Sequence, residues 1–143
     1  MSAEGSQKPY PDIANETYLK ILELSRLGDA YAEQKDFAKA IQSYHQALTL
    51  IPEPFEVYQA STWLLTAIGE SYLLMGDYEN ARNVLQKAMY CPEAIGNPYI
   101  HLKLGQAQFE LGNFERAKDE LARAYIIEGK EIFQDEDLKY YEY

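Results

Sequence analysis

A glycine followed twelve residues later by an alanine, and seven residues after that by a second alanine, occurs three times in this chain. The three sets are Gly28/Ala40/Ala47, Gly69/Ala81/Ala88 and Gly105/Ala117/Ala124. Because glycine inside a helix costs about 1 kcal/mol relative to alanine, its return at one register indicates a packing requirement. An internal repeat of this length predicts stacked supersecondary units, each of which buries its apolar face against its neighbours.

Each copy of the repeat has the pattern of two helices joined by a tight turn. Apolar residues recur with a helical period on both sides of short polar breaks. These breaks lead into Asp36-Phe37, Asp77-Tyr78 and Asn113-Phe114. We expect the Asp or Asn to cap the second helix and the aromatic residue beside it to pack back across the hairpin. Asn97 before Pro98 marks the start of the third copy.

These residues resemble the tetratricopeptide repeat, a unit of about 34 residues with the motif W-x2-L-G-x2-Y in its first helix. The matching residues are Leu24, Leu27, Gly28 and Tyr31 in the first copy and Leu65, Ile68, Gly69 and Tyr72 in the second. In the third copy, His101 and Gln108 occupy the aromatic positions. The resemblance implies an all-α fold, a right-handed superhelical stack (α-solenoid) of three helix-turn-helix hairpins with a C-terminal capping segment.

The predicted domain covers residues 11–143, with repeats at about 21–54, 55–95 and 98–131 and a cap at 132–143. Residues 1–10 lack periodicity and are expected to form a disordered tail. Asp135 and Asp137 are candidate caps for a short final helix.

The glycines are not evenly spaced: 41 residues separate Gly28 from Gly69, and 36 separate Gly69 from Gly105. The longer interval predicts one extended helix from Pro54 to Leu74, which would carry Phe55 and Tyr58 beyond the edge of the stack.

The resemblance also implies a concave groove, lined by the first helix of each hairpin, that binds an extended peptide or a partner's helix. Carried over position by position, the groove residues are Asp29, Glu33, Trp63, Thr66, Glu70, Leu73, Tyr99, Gln106, Phe109 and Glu110, with Leu22, Ser25, Ala32, Leu74 and Leu102 beside them. A second surface at the edge would contain Phe55, Tyr58 and His101. The groove set contains carboxylates and aromatics without Lys or Arg, which predicts a basic or amphipathic partner.

Charge and composition narrow the classes of partner. The chain has 13 Lys and Arg against 23 Asp and Glu, a net charge of −10. An acidic balance of this size argues against binding to nucleic acid or to anionic membranes. The single cysteine, Cys91, and the absence of a signal-like or membrane-spanning apolar run predict a reducing, cytoplasmic location.

The sequence offers little for catalysis. It contains no nucleotide-binding, dinucleotide-binding or zinc motif, and its two histidines, His45 and His101, lie in different repeats. We expect both histidines to be partly exposed helical residues. We therefore predict no enzyme activity, no cofactor and no metal site.

Three functions remain open. The first is a non-enzymatic protein-interaction module, present as a monomer or weak homodimer. In the second, the whole chain and the run from Ala124 to Phe133 are similar to small bacterial repeat proteins encoded beside toxins, which implies an immunity protein that neutralises its toxin. The third is a scaffold that self-associates through its last repeat.

One family function is not expected. The clamp for acidic chaperone tails needs basic and amide residues in the groove, and the residues at those positions here are Ser25, Asp29, Ala67, Tyr99 and Lys103. Of these, Lys103 alone fits.

Overall fold

The computed structural model describes residues 13–134 and 136–142, without the side chains of Leu138 and Glu142. Over these residues the chain is all-α, as predicted, and contains no strand. The helices are α1 (Asn15–Glu33), α2 (Phe37–Thr49), α3 (Gln59–Met75), α4 (Tyr78–Ala88), α5 (Pro98–Glu110), α6 (Phe114–Glu128) and α7 (Leu138–Glu142). Short 3-10 turns cover Phe55–Val57 and Lys130–Phe133. The tail predicted at residues 1–10 and the candidate cap Asp135 lie outside the described residues.

The first six helices form three helix-turn-helix hairpins, α1–α2, α3–α4 and α5–α6, stacked in chain order. The second helix of each hairpin also contacts the first helix of the next, so α2 packs on α3 and α4 packs on α5. Ile21 of the first hairpin shares a buried cluster with Leu64 and Ile68 of the second. Leu85 of the second hairpin likewise packs with Ile100 of the third. The core therefore runs through the stack and does not sit at one centre.

The three helix-interior glycines lie where the two helices of a hairpin come closest. In each hairpin the glycine faces the residue sixteen positions later on the second helix: Gly28 faces Tyr44, Gly69 faces Leu85 and Gly105 faces Leu121. A Cβ atom at Gly69 would lie 2.5 Å from Cγ of Leu85, well inside van der Waals contact. The packing requirement inferred from the sequence is thus present in all three hairpins.

Two of the three predicted caps form at the turns inside the hairpins. Oδ1 of Asp36 and of Asp77 each accepts a hydrogen bond from the backbone N–H three residues later, at 3.3 and 3.4 Å. The prediction is wrong for Asn113, whose side chain makes no capping bond. Its Nδ2 donates instead to Oε1 of Gln108 at 2.7 Å, because Gln108 is buried and needs a partner for its amide oxygen.

The extended helix predicted from Pro54 to Leu74 is also wrong. The chain forms a separate 3-10 turn at Phe55–Val57, and the extended backbone of Tyr58 (φ −108°, ψ 135°) breaks the path before α3 begins. The hydroxyl of Ser61 donates to the carbonyl oxygen of Phe55 at 2.6 Å, which holds the turn against the start of α3. Phe55 and Tyr58 are half-buried against the core and do not overhang the stack, because packing their rings removes apolar area from water.

Residues 130–142, here called the C-terminal segment, fold over the last hairpin. The backbone turns at Gly129, where φ is 86°. Phe133 is then buried against Leu102 of α5 and Leu121 of α6. Oδ1 of Asp137 accepts a hydrogen bond from the backbone N–H two residues later at 3.1 Å and so caps α7, as predicted.

Replacing Gly69 by alanine should test the helix contact. The new methyl group would press on the branch point of a fully buried leucine, so we expect Gly69→Ala to lower the free energy of unfolding by about 1–2 kcal/mol despite the better helix propensity of alanine. Urea unfolding followed by circular dichroism measures this change. Gly96→Ala is the control, because a Cβ there meets no atom within 4 Å. Equal stability of Gly69→Ala and the wild type would refute the contact.

Candidate functional site

The first helices α3 and α5 lie side by side and are joined by polar contacts. The hydroxyl of Tyr99 donates a hydrogen bond to Oε2 of Glu70, so the structure brings these two predicted groove residues together. Burial, and then the adjacent Glu70 carboxylate, raises the pKa of the Tyr99 hydroxyl above its ordinary value. Tyr99 therefore stays a neutral donor to Glu70 at physiological pH.

A lysine lies among the groove carboxylates, which sequence reasoning missed. Nζ of Lys103 is 3.8 Å from Oε2 of Glu70 and 3.3 Å from Oε2 of Glu136, and it sits 5.2 Å from the centre of the Tyr99 ring. In the sequence pattern, Lys103 stands out only as one position of the chaperone clamp. Lys103 directly follows the groove position Leu102, and this neighbouring position is the sequence signal for a lysine at the groove. The charge of Glu70 is thus partly balanced inside the protein.

The C-terminal segment covers part of the groove positions of α5. Nε2 of Gln106 donates to Oε1 of Glu136 at 2.6 Å, and Gln106 is only 5% exposed. Leu102 is also buried, beneath Phe133. This corrects the expectation that Gln106 lies on an open groove. The sequence period gives the face of α5, but it does not say that a later segment folds onto that face.

Glu110 and Phe109 at the end of α5 hold the same segment. Oε2 of Glu110 accepts a hydrogen bond from the Tyr140 hydroxyl at 2.6 Å and lies 2.7 Å from Nζ of Lys139. The Phe109 ring packs edge-to-face against the rings of Tyr140 and Phe114, with a distance of 5.4 Å between ring centres in each pair. The contact with Phe114 is the aromatic packing across the hairpin that the sequence predicts.

These contacts set the ionisation of the Glu110 carboxyl. Partial burial acts to raise its pKa, but the hydrogen bonds from Lys139 and Tyr140 outweigh that effect, so the pKa of Glu110 lies below its ordinary value. The bond to Glu110 in turn raises the pKa of Lys139. Burial, followed by the bond to Glu110, raises the pKa of the Tyr140 hydroxyl.

On α1, the predicted groove residues Asp29 and Glu33 are both exposed. Oδ1 of Asp29 accepts a hydrogen bond from the hydroxyl of Tyr44 at 2.6 Å. Burial, and then this bond, raises the pKa of Tyr44. Within the described residues, neither Asp29 nor Glu33 forms an ion pair. Among the described residues, the α1 carboxylates of the predicted groove thus differ from Glu70 and Glu110, each of which has a lysine beside it.

On α3 the predicted residues differ in their exposure. Trp63 is 52% exposed and the neighbouring groove position Leu74 is 61% exposed. Thr66 instead donates its hydroxyl to the carbonyl oxygen of Thr62 at 2.7 Å. Leu73 is partly buried and packs against the core of the second and third hairpins. Trp63 and Leu74 are therefore the exposed members of the predicted groove positions on α3.

The edge surface predicted at Phe55, Tyr58 and His101 does not form as one patch. The prediction of a partly exposed histidine is wrong, because His101 is 4% exposed. Its Nδ1 lies 2.5 Å from Oε1 of Glu120, and its Nε2 lies 2.6 Å from the carbonyl oxygen of Ile95. Both ring nitrogens therefore have hydrogen-bond partners within the protein. His101 occupies the position of an aromatic residue in the repeat motif.

Other chemistry is limited in the described part of the chain. Cys91 is buried, and burial raises the pKa of its thiol to about 11, so it carries little of the reactive thiolate. No group of three or more His, Cys, Asp or Glu side chains is arranged to hold a metal ion among the residues that the structure describes. No described helix is both long and apolar enough to cross a membrane.

Two models of the tetratricopeptide repeat match the chain, at residues 20–89 and 72–124. The outer dynein arm-docking complex subunit 4 of Homo sapiens is 29% identical in an alignment 119 residues long that covers 78% of this chain and 17% of that protein. The Bos taurus protein of the same name is 28% identical, and the alignment again covers 78% of this chain and 17% of that protein. The chain thus spans 17% of the length of these curated relatives.

Solved structures have the same stack of hairpins. The TPR domain of Sgt2 from Aspergillus fumigatus is 23% identical with a TM-score of 0.63, covering 81% of this chain and 68% of that one. The second TPR of Spaghetti, bound to the HSP90 peptide SRMEEVD, is 16% identical with a TM-score of 0.66, covering 76% and 93%. PcrH in complex with the chaperone-binding region of PopB is 16% identical with a TM-score of 0.66, covering 80% and 83%. At these identities the likeness establishes the fold.

The anchoring of the C-terminal segment by Glu110 should depend on pH. Because the pKa of Glu110 is lower in the folded protein than in the unfolded chain, its stabilisation is present at neutral pH and is lost as the pH falls through the folded-state value. Wild-type protein should therefore lose more of its thermal midpoint between about pH 6 and about pH 3 than Glu110→Gln does.

Thermal unfolding across this range measures the difference. Glu128→Gln, which removes an exposed carboxylate at the end of α6, should behave like the wild type. If Glu110→Gln and the wild type lose the same number of degrees, Glu110 does not anchor the segment.

Proposed function

We propose that this chain, which belongs to the tetratricopeptide repeat family, is a non-enzymatic protein-interaction module that binds a partner segment along α1 and α3. The observation that carries the proposal is the unequal coverage of the first helices. Asp29, Glu33, Trp63 and Leu74 are exposed on α1 and α3, whereas on α5 the C-terminal segment is bonded to Gln106 and Glu110. We define the exposed four residues as the open groove.

The chemistry of the open groove favours a basic, amphipathic segment. Asp29 and Glu33 supply negative charge, and neither forms an ion pair with another described residue. Trp63 and Leu74 supply apolar surface on the neighbouring first helix. A partner with basic residues on one side and apolar residues on the other would meet both, and the net charge of −10 would speed its approach.

The structural relatives support the class of function, although each of them has its own partner. The Spaghetti domain binds an HSP90 peptide, and PcrH binds a region of PopB. An acidic chaperone tail is not the partner we propose here. The clamp position Lys103 is already paired with Glu70 and Glu136, and another clamp position, Asp29, would repel the tail.

A charge-reversed groove tests this function. We expect the double variant Glu33→Lys, Leu74→Lys to lose at least tenfold in capture of the main partner of the wild-type protein, measured by quantitative mass spectrometry of affinity-purified complexes. Both side chains are exposed, so the helical circular dichroism should not change.

Glu128→Lys on α6 is the control, because it makes the same charge reversal as Glu33→Lys at an exposed position outside the open groove. It should capture the partner as the wild type does. Undiminished capture by the double variant would rule out the open groove as the binding surface.

A further inference from the structure

A surface pocket next to the open groove lies between the start of α3 and the start of α5. It has a volume of about 390 Å³, and its walls include Gln59, Trp63, Pro92, Glu93, Asn97 and Pro98. The half-exposed indole of Trp63 forms one wall, and it belongs to the only tryptophan of the chain. Trp63 thus belongs to the open groove and also lines the pocket.

Glu93 is the one charged residue among the described residues that line this pocket. Glu93 is exposed, and its Oε2 accepts a hydrogen bond from Nε2 of Gln59 at 2.9 Å beside the pocket. No described residue donates a hydrogen bond to its Oε1. The carboxylate therefore has one hydrogen-bond partner within the protein and can accept further hydrogen bonds.

The backbone of Glu93 is also unusual. Its φ is 63°, in the left-handed region that a residue with a side chain rarely adopts. The loop holds this conformation although it is strained, and strained backbone is found preferentially at binding sites.

The start of α5 does not make the pocket a site for anions. Oδ1 of Asn97 already accepts the N–H of Tyr99 at 2.9 Å, and Pro98, at the first helical position, has no N–H to offer. The partial positive charge of a helix end is about half a unit and is smaller than the full charge of Glu93. The pocket consequently combines an aromatic face with a net negative charge.

We infer that this pocket takes an arginine side chain of the partner segment, with the guanidinium stacked on the indole of Trp63 and donating a hydrogen bond to Oε1 of Glu93. A planar guanidinium suits an aromatic face and a carboxylate better than the compact, strongly hydrated ammonium of lysine does. The inference rests on the proposed function, which it sharpens by naming the side chain that anchors the partner.

The fluorescence of Trp63 reports on the pocket directly, because no other tryptophan contributes. The probe is the tripeptide acetyl-Gly-Arg-Gly-amide, titrated into the full chain and compared with the same peptide containing citrulline, lysine or glutamate. Citrulline keeps the shape of arginine but removes its charge. We expect a saturable change for the arginine peptide with an affinity at least fivefold above that of each other peptide.

Variants of two nearby carboxylates complete the test. Glu93→Gln should remove most of the preference for arginine over citrulline, whereas Glu56→Gln, which removes an exposed charge from the neighbouring turn, should keep it. Equal binding of arginine and citrulline, tighter binding of the glutamate peptide, or an unchanged preference in Glu93→Gln would each overturn the inference.

The test is separate from that of the groove. Glu33 and Leu74 do not line the pocket, so Glu33→Lys, Leu74→Lys should bind the arginine peptide as the wild type does. Loss of partner capture in that variant with intact arginine binding supports both proposals. If the variant still captures the partner and still binds the arginine peptide, the open groove is ruled out as the binding surface, and the arginine pocket is not contradicted.

Discussion

The close contact between a glycine of each first helix and the second helix of the same hairpin is the constraint on which this structure depends. Gly69 against Leu85 is representative, since a single Cβ would fall 2.5 Å from the leucine branch point. The same contact in all three hairpins gives them similar shapes, so they can stack with a continuous core. Stacking then sets α3 and α5 side by side, and the polar contacts of the candidate site follow from that arrangement.

A recurring bond between tyrosine and carboxylate decides which part of the first helices stays open. The Tyr99 hydroxyl is bonded to Glu70, and the Tyr140 hydroxyl is bonded to Glu110. In both cases a lysine lies beside the carboxylate. Glu70 and Glu110 therefore form contacts within the folded protein. The α1 carboxylates have no such cation within the described residues, which is why the proposed partner is placed on α1 and α3 and not across all three hairpins.

The sequence predicts the hairpins well because their determinants are local and periodic. Glycine register, turn residues and the Asn97-Pro98 start all act within a few residues of the feature that they specify. The errors are non-local. His101 is buried because Glu120 and the loop carbonyl of Ile95 meet it from other elements, and Gln106 is covered by a segment that follows the last hairpin. No periodicity within one helix encodes such contacts.

The most direct test of this account is amide hydrogen exchange of the full chain compared with a chain that ends at Gly129. If residues 130–142 complete the third hairpin, their removal should speed exchange in α5 while exchange in α1 and α2 stays the same, because stability in a stack of hairpins passes mainly between neighbours. Unchanged exchange in α5 would show that the segment does not cover these positions, and would contradict the division of the first helices into a closed part and an open part.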